Sequence, residues 1–343
     1  METDSATVGK SEMSDIRLSI CIPTYNFGSF IGDTLKSITD QASDDVEIVI
    51  FDGGSTDNTA DVVSKYKERF SNIVYHRADK KGGIDKDLAS TIDKARGTYC
   101  WLLSSDDALK PGAIQRVLDE IKHEHDIYLC NRTECDKDLV PLIFRPWLSE
   151  EIGNRQFILN TKDEFKDYFD KSRSIGALFS YMSAIIVQRS QWNEIGYDDR
   201  FTGSNYAHVF RLFSIMQKGG TLSYIKDPLI LCRGENDSFM EQGIFKRMMI
   251  DFNGYHLLST QLFTDHDVRR SFLAVMKRIF HWSHFIALKN MAPAGFNWSA
   301  FEHKLLDFGY TRTQLRIARI VASRPVFPIV RYFWHIINPP KKQ

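Results

Sequence analysis

Between residues 16 and 110 the chain alternates apolar runs with amphipathic stretches, and three of the runs end in a polar tip. Leu18–Ile22 leads into Pro23-Thr24-Tyr25-Asn26. Val46–Phe51 leads into Asp52-Gly53-Gly54-Ser55-Thr56-Asp57, and Tyr99–Leu103 into Ser104-Ser105-Asp106-Asp107. A further polar segment, Lys81-Gly82-Gly83-Ile84-Asp85-Lys86-Asp87, opens a helical stretch. Near-continuous apolar runs read as strands of a parallel sheet covered on both faces. Ligands of such sheets bind beyond the carboxyl ends of the strands. The three tips therefore converge on one crevice, whose carboxylates and small polar groups suit a nucleotide and a divalent cation.

The intervening stretches supply the helices. Residues 29–40 carry Phe30, Ile31, Leu35 and Ile38 at helical spacing. Asp57 fits an N-cap before Ala60, Val62, Val63 and Tyr66. A short strand is expected at 73–76 and helices at 84–95 and 111–123, the last with Pro111 near its first turn. This βαβα order argues an α/β fold with a doubly wound, mostly parallel sheet. Further strands are expected at 127–130, 139–144, 181–188, 222–225 and 228–232, and a helix at 207–217. Residues 145–175 read as a loop or short helices, and a helical region runs from 245 onward. The expected division is an unstructured 1–15, a main domain over 16–262 (halves 16–120 and 121–262) and a basic helical appendage over 263–343.

The formal net charge is zero, but from Val268 onward there are 13 Lys/Arg against Glu302 and Asp307 alone. An acidic main domain with a basic tail suggests an anionic surface as partner. Arg269, Arg270, Lys277 and Arg278, and later Arg312, Arg316, Arg319, Arg324 and Arg331, interleave with aliphatic and aromatic residues. Basic amphipathic helices of this kind read as membrane-surface binders. The same region suits a helical cap or a homo-oligomer contact. Nucleic acid shares the charge logic, but no nucleic-acid-binding motif is present. The five cysteines have no metal-ligand spacing, and Cys21 and Cys100 lie in apolar strands, which points to a reducing, cytoplasmic location. Residues 1–15 lack the apolar core of a signal peptide, and no apolar run reaches a bilayer-spanning length. The expectation is a protein at the inner face of the cell membrane, held peripherally.

The order of the motifs resembles glycosyltransferase family 2, inverting enzymes that use nucleotide sugars. The matching pieces are Pro23-Thr24-Tyr25-Asn26, Asp52-Gly53-Gly54-Ser55-Thr56-Asp57-Asn58-Thr59, and Ala95-Arg96-Gly97-Thr98-Tyr99 leading into Ser105-Asp106-Asp107. The likeness is clear over roughly 16–120 and weaker to about 240. It implies a GT-A type fold, a nucleoside diphosphate sugar as donor, Mg²⁺ or Mn²⁺, and a saccharide acceptor. Pro23, Thr24, Tyr25, Asn26, Asp52 and Gly54 match positions at the nucleotide, with Asp52 accepting from the base. Asp85 and Asp87 match positions near the ribose and sugar, and Ser105, in the matched Ser105-Asp106-Asp107, is a further candidate at the nucleotide. Asp106 and Asp107 match two members of an Asp-x-Asp-Asp cation cluster whose first carboxylate is Ser104 here. Without the resemblance, Asp106 and Asp107 read equally as caps for the helix near Pro111, and Asp52 as a turn residue.

The acidic pair that serves many relatives as general base is missing. Ser204, Asn205 and Tyr206 stand in its place, leaving His208, Asp198 and Asp199 as candidates, with a structural reading of His208 equally open. Arg233, within Cys232-Arg233-Gly234-Glu235-Asn236-Asp237-Ser238-Phe239, suits either the donor diphosphate or an ion pair within the protein. These last two segments resemble the abequosyltransferase-like branch, which acts on polyprenyl-linked O-antigen intermediates. The alternatives are a nucleotidyltransferase, which would carry a Gly-rich basic loop after the first strand, and a non-catalytic nucleotide-binding scaffold.

Overall fold

The computed structural model describes residues 15–236 and 243–323. Its centre is a 10-stranded mixed sheet. The first half runs β1 (Leu18–Thr24), α1 (Ile31–Thr39), β2 (Val46–Asp52), α2 (Thr59–Lys67), β3 (Ile73–Arg77), α3 (Ile84–Asp93) and β4 (Tyr99–Leu102). It continues with β5 (Ala108–Leu109), α4 (Ala113–Glu120), β6 (Ile127–Cys135), β7 (Pro141–Phe144), β8 (Arg155–Ile158), α5 (Lys162–Lys171) and β9 (Ile185–Gln188). α6 (Arg189–Ile195), α7 (Ala207–Gln217) and β10 (Thr221–Cys232) precede five helices: α8 (Gly243–Leu262), α9 (His266–Ile279), α10 (His284–Met291), α11 (Trp298–Asp307) and α12 (Arg312–Val321).

The strand order is β3-β2-β1-β4-β9-β6-β10-β5, with β7 on β6 and β8 on β10. β3, β2, β1 and β4 are parallel neighbours, as their apolar sequences predict. Every residue of β1 is buried. β9 runs antiparallel to both β4 and β6, so one reversed strand separates two parallel groups. Register aligns the tips: Thr24 lies beside Asp52, and Asp52 beside Arg77. β4 pairs with β1 only as far as Leu102 opposite Cys21. Pro23 therefore faces a side with no ladder partner, and its missing N–H costs nothing there.

Three expectations shift. The strand expected over 181–188 is shorter, because 182–184 form a 3₁₀ turn that presents Ser183 to the tip of β4. The strands expected at 222–225 and 228–232 are one strand, β10, with register shifts on either side of Pro228. A proline without an N–H is tolerated at such a bulge. The uncommitted 145–175 contains β8 and α5, the latter opened by a capping box in which Thr161 and Glu164 satisfy each other's backbone.

A continuous apolar core runs from Leu18 to Ala318. Most of the C-terminal aromatics face inward. Phe252 packs on Phe280, Phe285, Phe301 and Phe308 with centroids 5.0–5.7 Å apart. Phe169 of α5 meets Phe272 of α9 at 5.3 Å. Arg278 donates to the carbonyls of Phe169 and Ser172. These helices are thus packed on the sheet domain through their aromatic faces.

Candidate active site

The loops after β1 and β2 are stitched together. Asn26, held at φ 60°, donates its N–H to Ser55 Oγ (2.8 Å), and its side-chain oxygen accepts from the Thr56 N–H (2.8 Å). Asp57 accepts from the N–H groups of Gly28 (2.9 Å) and Thr59 (3.0 Å). Asn26 is thus a loop anchor. Tyr25 lies under Lys81, whose Nζ is 4.0 Å from the ring centroid, so the β1 tip also meets the segment before α3. Thr24 is 4 % exposed and its hydroxyl finds no partner in the described protein. A buried polar group left unpaired is costly, which marks the β1 tip as a place where packing alone does not satisfy the chain.

Asp52 is fully buried; it accepts from the Ser55 N–H (2.7 Å) and the Tyr75 hydroxyl (2.5 Å). This corrects the expectation that it meets the base: with no exposed surface, it holds the turn after β2. Gly54 at φ 86° makes that turn possible. Asp87 fills the space beside two glycines. A Cβ at Gly53 would come within 2.7 Å of one carboxylate oxygen, and a Cβ at Gly82 within 2.5 Å of the other. Burial raises the Asp87 pKa to about 6, against the pull of the Gly82 N–H and Lys81. Asp85 has a different task. Its carboxylate accepts from the N–H groups of Gly203 (2.8 Å), Asn205 (3.0 Å) and Ala207 (3.1 Å). It caps the entry to α7 from another element, tying α3 to the far side of the crevice.

At the β4 tip the two neighbouring carboxylates part ways. Asp107, expected at the cation, is 2 % exposed and is filled by Tyr181 (2.5 Å), Ser183 (2.6 Å) and the Arg233 N–H (3.1 Å). It is a scaffold residue; burial and then the charge of Asp106 raise its pKa to about 7. Asp106 is only half-buried and accepts from the Ser104 hydroxyl and the Asn236 amide (3.0 Å). Burial raises its pKa. Ser104, which replaces the first carboxylate of the family pattern, thus serves as a hydrogen-bond donor to the second. Ser105 is buried beneath them.

Arg233 takes the ion-pair role of its two readings. Its guanidinium binds Asp33 (2.7 Å) and the carbonyls of Asp106 (2.9 Å) and Lys137, over the ring of Phe30. Its side chain is 4 % exposed, which corrects the expectation of a diphosphate contact. His208 is buried on α7 with Nε2 2.9 Å from the Phe179 carbonyl oxygen, and burial lowers its pKa. That is the structural role, and it removes His208 as a base. Asp198 is taken up by Arg200. Asp199 stands in solvent, 4.0 Å from Lys86. Tyr181, Ser183 and Asn236 shape the site without having been foreseen. Tyr181 and Ser183 reach Asp107 across 74 and 76 residues, a separation no local pattern reveals.

Among the described residues no three His, Cys, Asp or Glu side chains converge as a metal cluster. Asp106 nonetheless fits a hard cation. Mg²⁺-type ions are commonly held by one or two carboxylates, with substrate phosphates completing the shell.

An α/β sheet of this order, with its polar groups gathered at the β1, β2 and β4 tips, defines a GT-A type transferase. TarS of S. aureus, solved as residues 1–349 in complex with UDP, superposes with TM-score 0.61 at 18 % identity, over 85 % of this chain and 80 % of that one. A mannosyltransferase from Pyrobaculum calidifontis, solved with GDP-Man and Mn²⁺, gives 0.52 at 13 % identity, over 89 % and 85 %. The chain belongs to glycosyl transferase family 2, whose model matches residues 19–186, and it is a glycosyltransferase. It is 34 % identical to the abequosyltransferase RfbV of Salmonella typhimurium over 77 % of this chain and 81 % of that protein. It is 24 % identical to a GalNAc(5)-diNAcBac-PP-undecaprenol β-1,3-glucosyltransferase of Campylobacter jejuni, over 59 % of this chain and 66 % of that protein.

Proposed function

We propose that this enzyme moves a sugar, with inversion, from a nucleoside diphosphate sugar to a polyprenyl-linked saccharide during O-antigen or related surface polysaccharide synthesis. The carrying observation is the half-buried Asp106 carboxylate at the β4 tip, together with the β1 and β2 tips that Asn26 and Asp52 lock in place. The undecaprenol-linked relative supports a lipid-linked acceptor. Asp106 is the residue to hold Mg²⁺ or Mn²⁺. When bound, that ion acts as a Lewis acid on the diphosphate. Asp107, Arg233 and Asn236 hold the Asp106 loop in place. Of the three candidate bases, Asp199 alone keeps an exposed carboxylate, so we assign it the acceptor proton.

Peripheral membrane contact is carried by α12. Leu315 and Ala318 are buried, while Ile317 and Ile320 are 41 % and 53 % exposed beside Arg312 and Arg316. The basic and aromatic residues from Arg324 onward lie outside the described residues. No described helix is long and apolar enough to cross a membrane. Co-sedimentation with phosphatidylglycerol vesicles, lost on replacing Ile317 and Ile320 by Glu, supports the contact; equal sedimentation of both proteins opposes it. The transfer itself is tested with a panel of nucleoside diphosphate sugars and an undecaprenyl diphosphate-linked saccharide, with Mn²⁺ or with EDTA. Consumption of one donor class with growth of the acceptor supports the reading. Inertness toward the whole panel contradicts it.

A further inference from the structure

Arg132 of β6 has no role in the site as described, yet it is built with care. Its guanidinium carbon lies 4.4 Å from the Tyr181 ring centroid and 5.1 Å from that of Trp147. Both rings are pinned. The Trp147 indole N–H donates to the Cys130 carbonyl (2.7 Å), and the Tyr181 hydroxyl to Asp107 (2.5 Å). Space for the indole is made by Gly176, where a Cβ would sit 2.2 Å from the ring. The two rings lie 5.9 Å apart and tilted 49° to each other, and together they restrict where the guanidinium can point its donors.

Those donors are left open. Among the described residues Nε is buried with no partner, and the sole hydrogen bond of the group runs from Nη2 to Glu134 at 3.4 Å. That pair is long and partly solvated, with side chains 24 % and 37 % exposed, and is weak on both counts. Arg233, the neighbouring arginine at these strand ends, is by contrast fully committed to Asp33 and carbonyls. Position adds chemistry. Arg132 reaches the β4 tip through Tyr181 and Asp107, one residue from Asp106. The cation site there has lost one carboxylate to Ser104. A site with fewer carboxylates leaves more of a leaving diphosphate's charge to be met by a protein cation.

We infer that Arg132, seated against Trp147 and Tyr181, receives the phosphate oxygens of the departing nucleoside diphosphate. The inference rests on the nucleotide-sugar reading above and names the cation that reading lacked.

The test is isothermal calorimetry with UDP, GDP, CDP and dTDP, and with the matching nucleosides, in Mn²⁺. Wild type, Arg132→Gln and Arg132→Lys are compared. For the diphosphate that wild type binds, Arg132→Gln weakens affinity by roughly tenfold or more, as loss of a charge-assisted fork would. The nucleoside binds all three proteins alike, and Arg132→Lys falls between. A merely structural role would weaken nucleoside and diphosphate together, and that result overturns the inference. Unchanged diphosphate affinity in Arg132→Gln overturns it too. A wild type that binds none of the four diphosphates brings down the nucleotide reading itself, and this inference with it.

Discussion

On the β1–β2–β4 side of the crevice, the polar groups sit in short contiguous segments at strand tips. On the β9–β6–β10 side they are assembled from residues far apart in the chain. The first side keeps the half-buried Asp106 open and leaves the buried Thr24 hydroxyl without a partner among the described residues. On the second, His208, Asp198 and Arg233 are absorbed by the scaffold, and Arg132 stands out as open. The contrast teaches that a side built at strand tips can be fixed by local sequence, whereas the side facing it is shaped by long-range packing.

The comparison breaks first at Asp106. Replacing it by Ala should reduce transfer on the order of 10³-fold, the scale seen when a main electrostatic stabiliser of a transition state is removed. The thermal midpoint should hold, because among the described residues the Asp106 side chain bonds only Ser104 and Asn236. Steady-state rates beside a melting curve check this; full activity would remove the cation assignment.

The seam between the halves is next. Asp85→Ala deletes the acceptor of three backbone N–H groups at the start of α7. The expected cost is about 2–3 kcal/mol, read from the denaturant midpoint. Asp85→Asn should recover part of it. Stability equal to wild type in both variants would show that the halves are not joined there.

The smallest effect is electrostatic. Burial raises Asp87 from the usual carboxylate range to about 6 in the folded protein. A carboxyl with a raised folded pKa contributes stability below its unfolded pKa, near 4, and loses it as pH rises through 6. The stability of wild type relative to Asp87→Asn should therefore fall from pH 4 to pH 6 and then level off. Urea unfolding of both proteins across that range measures it; a flat difference would place Asp87 in solvent.

How much of this was legible follows from the same contrast. The β1, β2 and β4 strands were readable because parallel strands covered on both faces are uninterrupted apolar runs. The division of labour between Asp106 and Asp107 was not. Adjacent in sequence, they differ because Tyr181 and Ser183 arrive from a 3₁₀ turn that sequence presented as strand. Likewise, the carboxylates of Asp85 and Asp87 look alike in a helix-opening segment. One caps α7 across 118 to 122 residues, and the other packs beside two glycines. The buried ring of His208 was foreseen only as one of two readings, since a helix with Val209 and Leu212 does not say which face the ring takes.

The central claim is that the tips of β1, β2 and β4 hold a nucleoside diphosphate together with a divalent cation at Asp106. Its most direct test is the thermal midpoint of the wild-type protein with UDP, GDP, CDP or dTDP, each with and without Mn²⁺. Ligand that binds only the folded state raises the midpoint. The account predicts that one nucleotide stabilises the protein, more strongly with Mn²⁺, and that the Mn²⁺ increment disappears in Asp106→Ala. No stabilisation by any of the four, with or without the metal, would contradict it.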